Sequence, residues 1–168
     1  MSAVTQLSVR NATTKDIQLI RALTYKVWPQ TYSGILTTHQ INYMLELFYS
    51  EPSLQKQMKD NHQFLIIYEE LTPMGFASYS ETEPGKYKLH KIYVIQEQQS
   101  KGVGRFLFDY IIENIRQKGA TALQLNVNRF NKARNFYEKL GFIIINEEDV
   151  DIGQGYFMND YVMEKKLT

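Results

Sequence analysis

Apolar residues recur with helical or strand spacing through most of the chain. Between residues 102 and 118 they fall at every fourth position, which predicts an amphipathic helix that ends at Gly119. The residues of this stripe are Val103, Leu107, Ile111 and Ile115. The apolar run "KIYVI" precedes this helix and "ALQLNVN" follows it, so a strand is predicted on each side.

The same patterns divide the rest of the chain. Further helices are predicted at "TTKDIQLIRALTYKVW", "THQINYMLELFY", "EPSLQKQMKD" and "NKARNFYEKLG". Further strands are predicted at "LSVRN", "QFLIIYEE", "GFASYSE", "FIIINEE" and "GYFMNDYVMEKKL", and the four prolines are expected in turns. Thr13 and Asp16 have the spacing of a capping box before the first helix.

The order of these elements, written as β-α-α-β-β-β-α-β-α-β-β, predicts one α/β domain over residues 1–168. We expect a mixed, mainly antiparallel sheet of about seven strands with helices on both faces. Only the strands that flank helix 102–118 have a helix-length connection, so they should be parallel neighbours. A ligand would enter between their carboxyl ends.

The strand "KYKLHKIYV" contains a break in its alternation. Tyr87 and Leu89 follow one phase of the two-residue period, whereas Ile92 and Val94 follow the opposite phase. The phase changes near His90, which is what an extra residue in the strand would cause. We therefore predict a β-bulge at this point.

Composition excludes several classes of function. The chain has 168 residues and a formal charge of only +1, so no charge field favours nucleic acid or an anionic membrane. It contains no cysteine, which excludes disulfides and thiolate chemistry and agrees with a reducing compartment. No apolar run is long enough for a membrane span or a leader, so a soluble cytoplasmic protein is expected. His39 and His62 lack ligand spacing, and no metal is expected.

Two glycines stand where the strand "KIYVI" gives way to helix 102–118. The sequence "QQSKGVGRFL" is neither a P-loop, which needs Gly-Lys-Ser/Thr, nor a Rossmann fingerprint, which needs a third glycine. Glycines at a helix N-terminus let backbone N–H groups converge on an anion such as pyrophosphate. Lys101 and Arg105 could reach further phosphate oxygens. A flexible strand-to-helix turn is the alternative interpretation.

Together with "NRFNKARNFYEKLGF" directly after the second parallel strand, this glycine turn resembles the GNAT superfamily of acyl-CoA-dependent N-acyltransferases. The resemblance covers most of the chain. Within the superfamily, "LHKIYV", "FYEKLGF", "YFMNDYVMEKKL" and "VWPQTY" are similar to the PaiA-like polyamine acetyltransferases. The resemblance to the GNAT superfamily implies an enzyme that transfers an acetyl group from acetyl-CoA to an amine without a metal.

The resemblance also implies which residues bind coenzyme A. The pyrophosphate would lie on Gln99, Ser100, Lys101, Gly102, Val103, Gly104 and Arg105. The pantetheine arm would bond to the backbone of Ile92, Tyr93 and Val94, with further contacts from Asn131 and Tyr137. Many members place the asparagine three residues before the alanine of the helix, whereas Asn131 stands two before Ala133. Asn131 as a simple helix cap is the alternative.

Two residues carry the chemistry that the resemblance implies. Tyr137 matches the tyrosine that protonates the departing thiolate, and a core tyrosine is the alternative. His90 occupies the place of the glutamate that many members use as base. An imidazole with a pKa near 6.5 suits deprotonation of an amine, and a structural histidine is the alternative. The backbone N–H of Val94 would polarise the thioester carbonyl.

The acceptor is less constrained by the sequence. Aromatic residues between positions 25 and 48 could line a pocket for a small amine or pack in the core, and three glutamates could hold a cation. These residues are Trp28, Tyr32, Tyr43 and Phe48, and Glu46, Glu81 and Glu83. The alternatives are a RimI-type enzyme that acetylates peptide N-termini and a non-catalytic acetyl-CoA sensor. The final strand, if exposed, could pair with a second copy to form a homodimer.

Overall fold

The computed structural model describes residues 6–95 and 102–168. Its strands are β1 (Leu7–Asn11), β2 (Gln63–Glu69), β3 (Thr72–Glu83), β4 (Lys86–Val94), β5 (Ala122–Asn128), β6 (Ile143–Gly153) and β7 (Tyr156–Lys166). Its α-helices are α1 (Ile17–Tyr32), α2 (Thr38–Tyr49), α3 (Glu51–Lys59), α4 (Val103–Gln117) and α5 (Ala133–Lys139). The segment "EPSLQKQMKD" forms the separate helix α3, so three helices, and not two, lie between the first two strands.

The seven strands form one sheet in the order β1-β2-β3-β4-β5-β7-β6. All neighbours are antiparallel except β4 and β5, which are parallel as predicted. The expectation of an exposed final strand is wrong, because the β6–β7 hairpin folds back and pairs β7 with β5. The two edge strands of the sheet are therefore β1 and β6. The predicted length of β6 was also too short, since the strand extends to Gly153.

Helices cover both faces of the sheet, as predicted. Helices α4 and α5 pack on one face around Leu107, Phe108 and Leu125. Helices α1, α2 and α3 pack on the other face around Trp28, Tyr49 and Phe76. Burial of these apolar side chains is the main favourable term that holds the two helical layers on the sheet.

The predicted start of the first helix is confirmed, whereas the expectation that all four prolines lie in turns is wrong. Thr13 N donates to Asp16 Oδ2 at 2.9 Å, and Thr13 Oγ1 accepts from Lys15 N at 3.3 Å, which caps a short 3-10 turn (Thr14–Asp16) that leads into α1. Pro84 lies in a turn, but Pro52 lies in the first turn of α3, Pro73 lies in β3 and Pro29 lies inside α1. Pro29 is the one within a helix interior. It removes one N–H donor, but the helix continues to Tyr32 and Ser33 N still donates to Pro29 O at 3.1 Å.

The two parallel strands pair over only part of their length. Residues 86–89 of β4 face residues 122–125 of β5, and the pairing stops there. Against β3, Leu89 pairs with Tyr79 and Lys91 pairs with Ser78, so His90 is the extra residue of a bulge. The predicted bulge is confirmed. Beyond it the strands separate, and both His90 and Lys91 face helices α1–α3.

Candidate active site

A cavity of about 1140 Å³ opens where β4 and β5 separate. Its lining runs from the N-terminus of α4, along the last residues of β4, to helices α1 and α2. Both faces of the sheet contribute to it, because the gap between the strands joins the two sides. The cavity thus has one half beside α4 and α5 and an opposite half beside α1 and α2.

The N-terminus of α4 borders the first half of the cavity. Gly102 caps this helix with a φ of +79°, a conformation that glycine adopts without strain. Gly104 lines the cavity, and a methyl group there would make only an ordinary contact of 3.6 Å with Phe136 Cζ. The first N–H groups of a helix lack acceptors within it and attract anions. Space and donors for a pyrophosphate therefore coincide here.

The other predicted phosphate contacts differ in their placement. The Val103 side chain is 1% exposed in the core, so only its backbone can face a ligand. Arg105 is exposed on the first turn of α4, where its Nε lies 3.4 Å from Asp109 Oδ1. Gln99, Ser100 and Lys101 lie outside the described residues.

The predicted pantetheine contacts lie along the cavity. Ile92, Tyr93 and Val94 follow the bulge of β4 and line the gap where β5 no longer pairs with that strand. Their partners on the other side are in β3, with Val94 opposite Gly75. An extended ligand can pair with the backbone of a strand as an added strand would.

Asn131 lies at the start of α5 and in the lining of the cavity, and its contact with the cofactor stays a prediction. Its Oδ1 accepts from Ala133 N at 2.9 Å, which caps the start of α5. The residue also lines the cavity.

Tyr137 lies at the meeting point of the two halves of the cavity. Its ring packs edge-on against Phe108 and Phe142, with centroids 5.7 and 6.2 Å away, and the residue is 9% exposed. Burial and the nearby Tyr32 raise the pKa of the Tyr137 phenol. Its hydroxyl has no hydrogen bond to any residue in the described ranges. The protonated hydroxyl is therefore available to a group bound in the cavity.

His90 faces the acceptor half of the cavity from the bulge. Its Nε2 lies 2.7 Å from Ser80 Oγ, and its ring stacks on His62 with centroids 4.0 Å apart. Burial, then the positive charge on His62 and Lys91, lowers the pKa of His90 to about 3. The expected titration near 6.5 is therefore wrong, because a second imidazole and buried surroundings penalise the cation.

The predicted acceptor residues are only partly brought together. Trp28, Tyr32 and Phe48 line the cavity, and Tyr32 Oη lies 3.0 Å from Tyr93 Oη. Tyr43 does not line it, because its hydroxyl donates to Ile152 O at 2.6 Å and ties α2 to the β6–β7 hairpin.

The three glutamates proposed to hold a cationic acceptor lie away from the cavity. Glu46 is exposed on α2. Glu81 accepts hydrogen bonds from Gly85 N and Tyr87 Oη, and Glu83 pairs with Lys86 at 3.6 Å. The β3–β4 hairpin uses the last two carboxylates for its own structure, so this expectation is wrong.

Four charged residues that the sequence did not single out as site residues line the cavity: Lys88, Lys91, Lys132 and Asp160. Asp160 of β7 is 5% exposed, and burial raises the pKa of its carboxyl. Lys91 donates to Gln57 Oε1 at 2.8 Å over the ring of Tyr49, and burial lowers the pKa of its ammonium to about 8. A charge at an inward position of an otherwise apolar strand, as in "NDYVME", is the signal that could have identified Asp160.

The match to known proteins agrees with this geometry. The model of the acetyltransferase (GNAT) domain family matches residues 35–164. The [ribosomal protein bS18]-alanine N-acetyltransferase of Haemophilus influenzae is 30% identical over 105 residues, which cover 62% of this chain and 68% of that protein. The uncharacterized N-acetyltransferase YuaI of Bacillus subtilis is 28% identical over 151 residues, which cover 87% and 86%.

Among solved structures, the PaiA N-acetyltransferase of Thermoplasma acidophilum in complex with coenzyme A has a TM-score of 0.81 at 26% identity. The match covers 96% of this chain and 99% of that one. Within the described ranges, no helix combines the length and apolar character of a membrane span. The family match spans most of the chain, and the parted strands and the α4 N-terminus offer the space and donors that coenzyme A needs. The chain belongs to the GNAT acetyltransferase family and is an acetyl-CoA-dependent N-acetyltransferase.

Proposed function

We propose that this enzyme acetylates a primary amine by direct attack of the amine on acetyl-CoA, with both substrates bound at once. The observation that carries the proposal is the continuous cavity through the gap between β4 and β5, which has Tyr137 at its middle. The chain contains no cysteine, so the thiol nucleophile that a two-step transfer would use is missing.

The residues of the first half would hold acetyl-CoA, which supplies the activated acetyl group. The first turn of α4, from Gly102 to Arg105, would bind the pyrophosphate, and Ile92–Val94 would pair with the pantetheine arm. Asn131 would reach the arm from the start of α5. This assignment is supported by the glycine conformation at the α4 N-terminus and by the loss of strand pairing beyond Leu89.

Tyr137 would supply the proton that the sulfur needs as the carbon–sulfur bond breaks and the carbon–nitrogen bond forms. Its raised pKa keeps the phenol protonated at neutral pH. A thiolate leaves with a conjugate acid pKa of about 8.5, so a phenol can assist its departure without being indispensable.

The proton released by the nitrogen needs an acceptor on the other half of the cavity. His90 faces this half, and the sequence assigned it the role of base. With a pKa of about 3 it is neutral at pH 7 but binds a proton only weakly. It could relay a proton through water, whereas a net acceptor requires a stronger base.

The acceptor that fits best is a small molecule with one primary amine. The acceptor half is walled by aromatic rings, and Asp160 is the carboxylate that lines it among the described residues. A polyamine carries several ammonium groups, and Lys88 and Lys91 in the same lining would repel them. A peptide N-terminus is the second candidate, because the Haemophilus influenzae relative is named for a ribosomal-protein alanine.

Thiol release from acetyl-CoA tests the proposal. A panel of mono-amines, polyamines, amino sugars and peptides with free N-termini should contain members that accelerate thiol release, and mass spectrometry should find each of these acceptors 42 Da heavier. Preference for a mono-amine over spermidine is expected. An enzyme that binds acetyl-CoA but acetylates no member would instead be a sensor, which would contradict the proposal.

A further inference from the structure

Asp160 is a buried carboxylate that the reaction described above does not use. It lies in β7 opposite Asn128, at the end of β5 where the gap between the strands opens. Its side chain contacts the cavity on the side of α1 and α2. Carboxylates are rarely buried without a partner, because removal from water penalises the charge.

The hydrogen bonding of Asp160 is incomplete. Asn126 Nδ2 donates to its Oδ2 at a long 3.3 Å and shares the same amide with Glu148 Oε2 at 3.2 Å. No lysine or arginine of the described ranges forms an ion pair with Asp160. A carboxylate has about four acceptor sites, so several stay open toward the cavity.

The charged residues around Asp160 do not fully compensate the charge of its carboxylate. Lys88 and Arg129 act on it from a distance, and Glu148 opposes them. Arg129 already forms ion pairs with Glu147 and Asp149, so its charge is compensated. Burial and Glu148 raise the pKa of Asp160, while Asn126 and the two cations counter that effect only in part. An ammonium bound in the cavity would complete the charge balance.

Asp160 is also placed near the reacting groups. Its charge acts on the Tyr32 hydroxyl, which lies 3.0 Å from the Tyr93 hydroxyl and in turn acts on Tyr137. Tyr137 is the proposed proton donor to the sulfur. The carboxylate and the phenol both line the cavity, Asp160 from β7 and Tyr137 from α5.

We propose that Asp160 binds the acceptor as its ammonium ion and then accepts the proton that the nitrogen loses. This inference rests on the proposed amine acetylation. A primary alkyl amine has a pKa of about 10 and arrives protonated at pH 7. The Asp160 carboxylate takes one proton from the nitrogen and frees the lone pair, after which the carbon–nitrogen bond forms and the carbon–sulfur bond breaks. The sulfur takes the Tyr137 proton, the second proton that the nitrogen loses restores the Tyr137 phenol, and the proton on Asp160 passes to water.

The test compares Asp160→Asn with Glu148→Gln, using the panel amine that the wild type acetylates fastest. Both variants remove one carboxylate that shares the Asn126 amide, but only Asp160 lines the cavity. Asp160→Asn should lower kcat/KM for the amine by roughly 10²- to 10³-fold and leave acetyl-CoA affinity unchanged. Glu148→Gln should stay within about threefold, since it is not placed to touch the amine.

The pH profile and the thermal midpoint separate catalysis from structure. The Asp160→Asn enzyme needs the amine already neutral, so its kcat/KM should rise about tenfold per pH unit up to the amine pKa of about 10. Its midpoint should equal or exceed that of the wild type, because a buried charge with a raised pKa destabilises the fold at neutral pH. Near-normal activity of Asp160→Asn, or an equal loss in Glu148→Gln, would refute the role of Asp160. Absence of any acetylated amine with the wild type would refute the proposed function instead.

Discussion

The substitution Tyr137→Phe removes one oxygen atom and tests the catalytic role of this residue separately from its role in packing. Tyr137→Phe keeps the ring against Phe108 and Phe142, so the buried apolar area is preserved. The residue lines the cavity, and its lost hydroxyl has no hydrogen bond to the described part of the chain. Water in the cavity can satisfy such a hydroxyl, so its removal should change the free energy of unfolding by about 1 kcal/mol or less.

The same substitution should lower turnover. The lost proton donor should lower kcat by roughly 10²-fold, which corresponds to about 2.7 kcal/mol in the transition state. A larger loss is not expected, because a thiolate can leave unassisted. Acetyl-CoA affinity should change little, since the ring remains in place. The raised pKa of Tyr137 also predicts that this residue causes no loss of activity with rising pH below about 10.

The assay is steady-state thiol release beside calorimetric binding of acetyl-CoA and a thermal melt. The matched control is Tyr79→Phe, which removes a hydroxyl from a buried tyrosine of the same core cluster that does not line the cavity. A stability change of 1 kcal/mol would shift the midpoint by roughly 2–4 °C in a chain of this size. Full activity of Tyr137→Phe at an unchanged midpoint would show that its hydroxyl is not the proton donor.

Three other substitutions test the rest of the site. Gly104→Glu should weaken acetyl-CoA binding by at least about 10²-fold in calorimetry, because it fills the anion site with a like charge. The control Phe106→Glu, on the exposed side of the same turn, should bind acetyl-CoA normally. His90→Gln should leave the acid limb of kcat/KM in place. In the wild type, denaturant melts should show that the free energy of unfolding falls by up to about 5 kcal/mol from pH 6.5 to 3, because only the unfolded histidine takes up a proton there. The His90→Gln variant should not show this fall. In the wild type the free energy of unfolding should rise by about 3 kcal/mol from pH 8 to 10.5, because only the unfolded lysine stays protonated there. Lys91→Met should abolish this rise in the same melts, and an unchanged rise in the variant would contradict the lowered pKa of Lys91.

The sequence alone determined the features that depend on near neighbours in the chain. The four-residue stripe predicted α4 almost to the residue, because a helix places such positions on one face. The change of phase at His90 predicted the bulge, because a strand side chain changes face when one residue is added. The helix-length connection predicted that β4 and β5 are parallel, since no shorter path joins the ends of such strands.

Only the tertiary structure decided the properties that arise between distant segments. His62 and His90 are far apart in sequence and stack only after β2 and β4 enter the sheet, and this contact with burial lowers the pKa of His90. Asp160 becomes a cavity residue only because β7 inserts between β5 and β6. Solvent exposure and charge proximity depend on the whole fold, so an ordinary pKa assigned from residue type alone fails wherever distant elements remove a group from water.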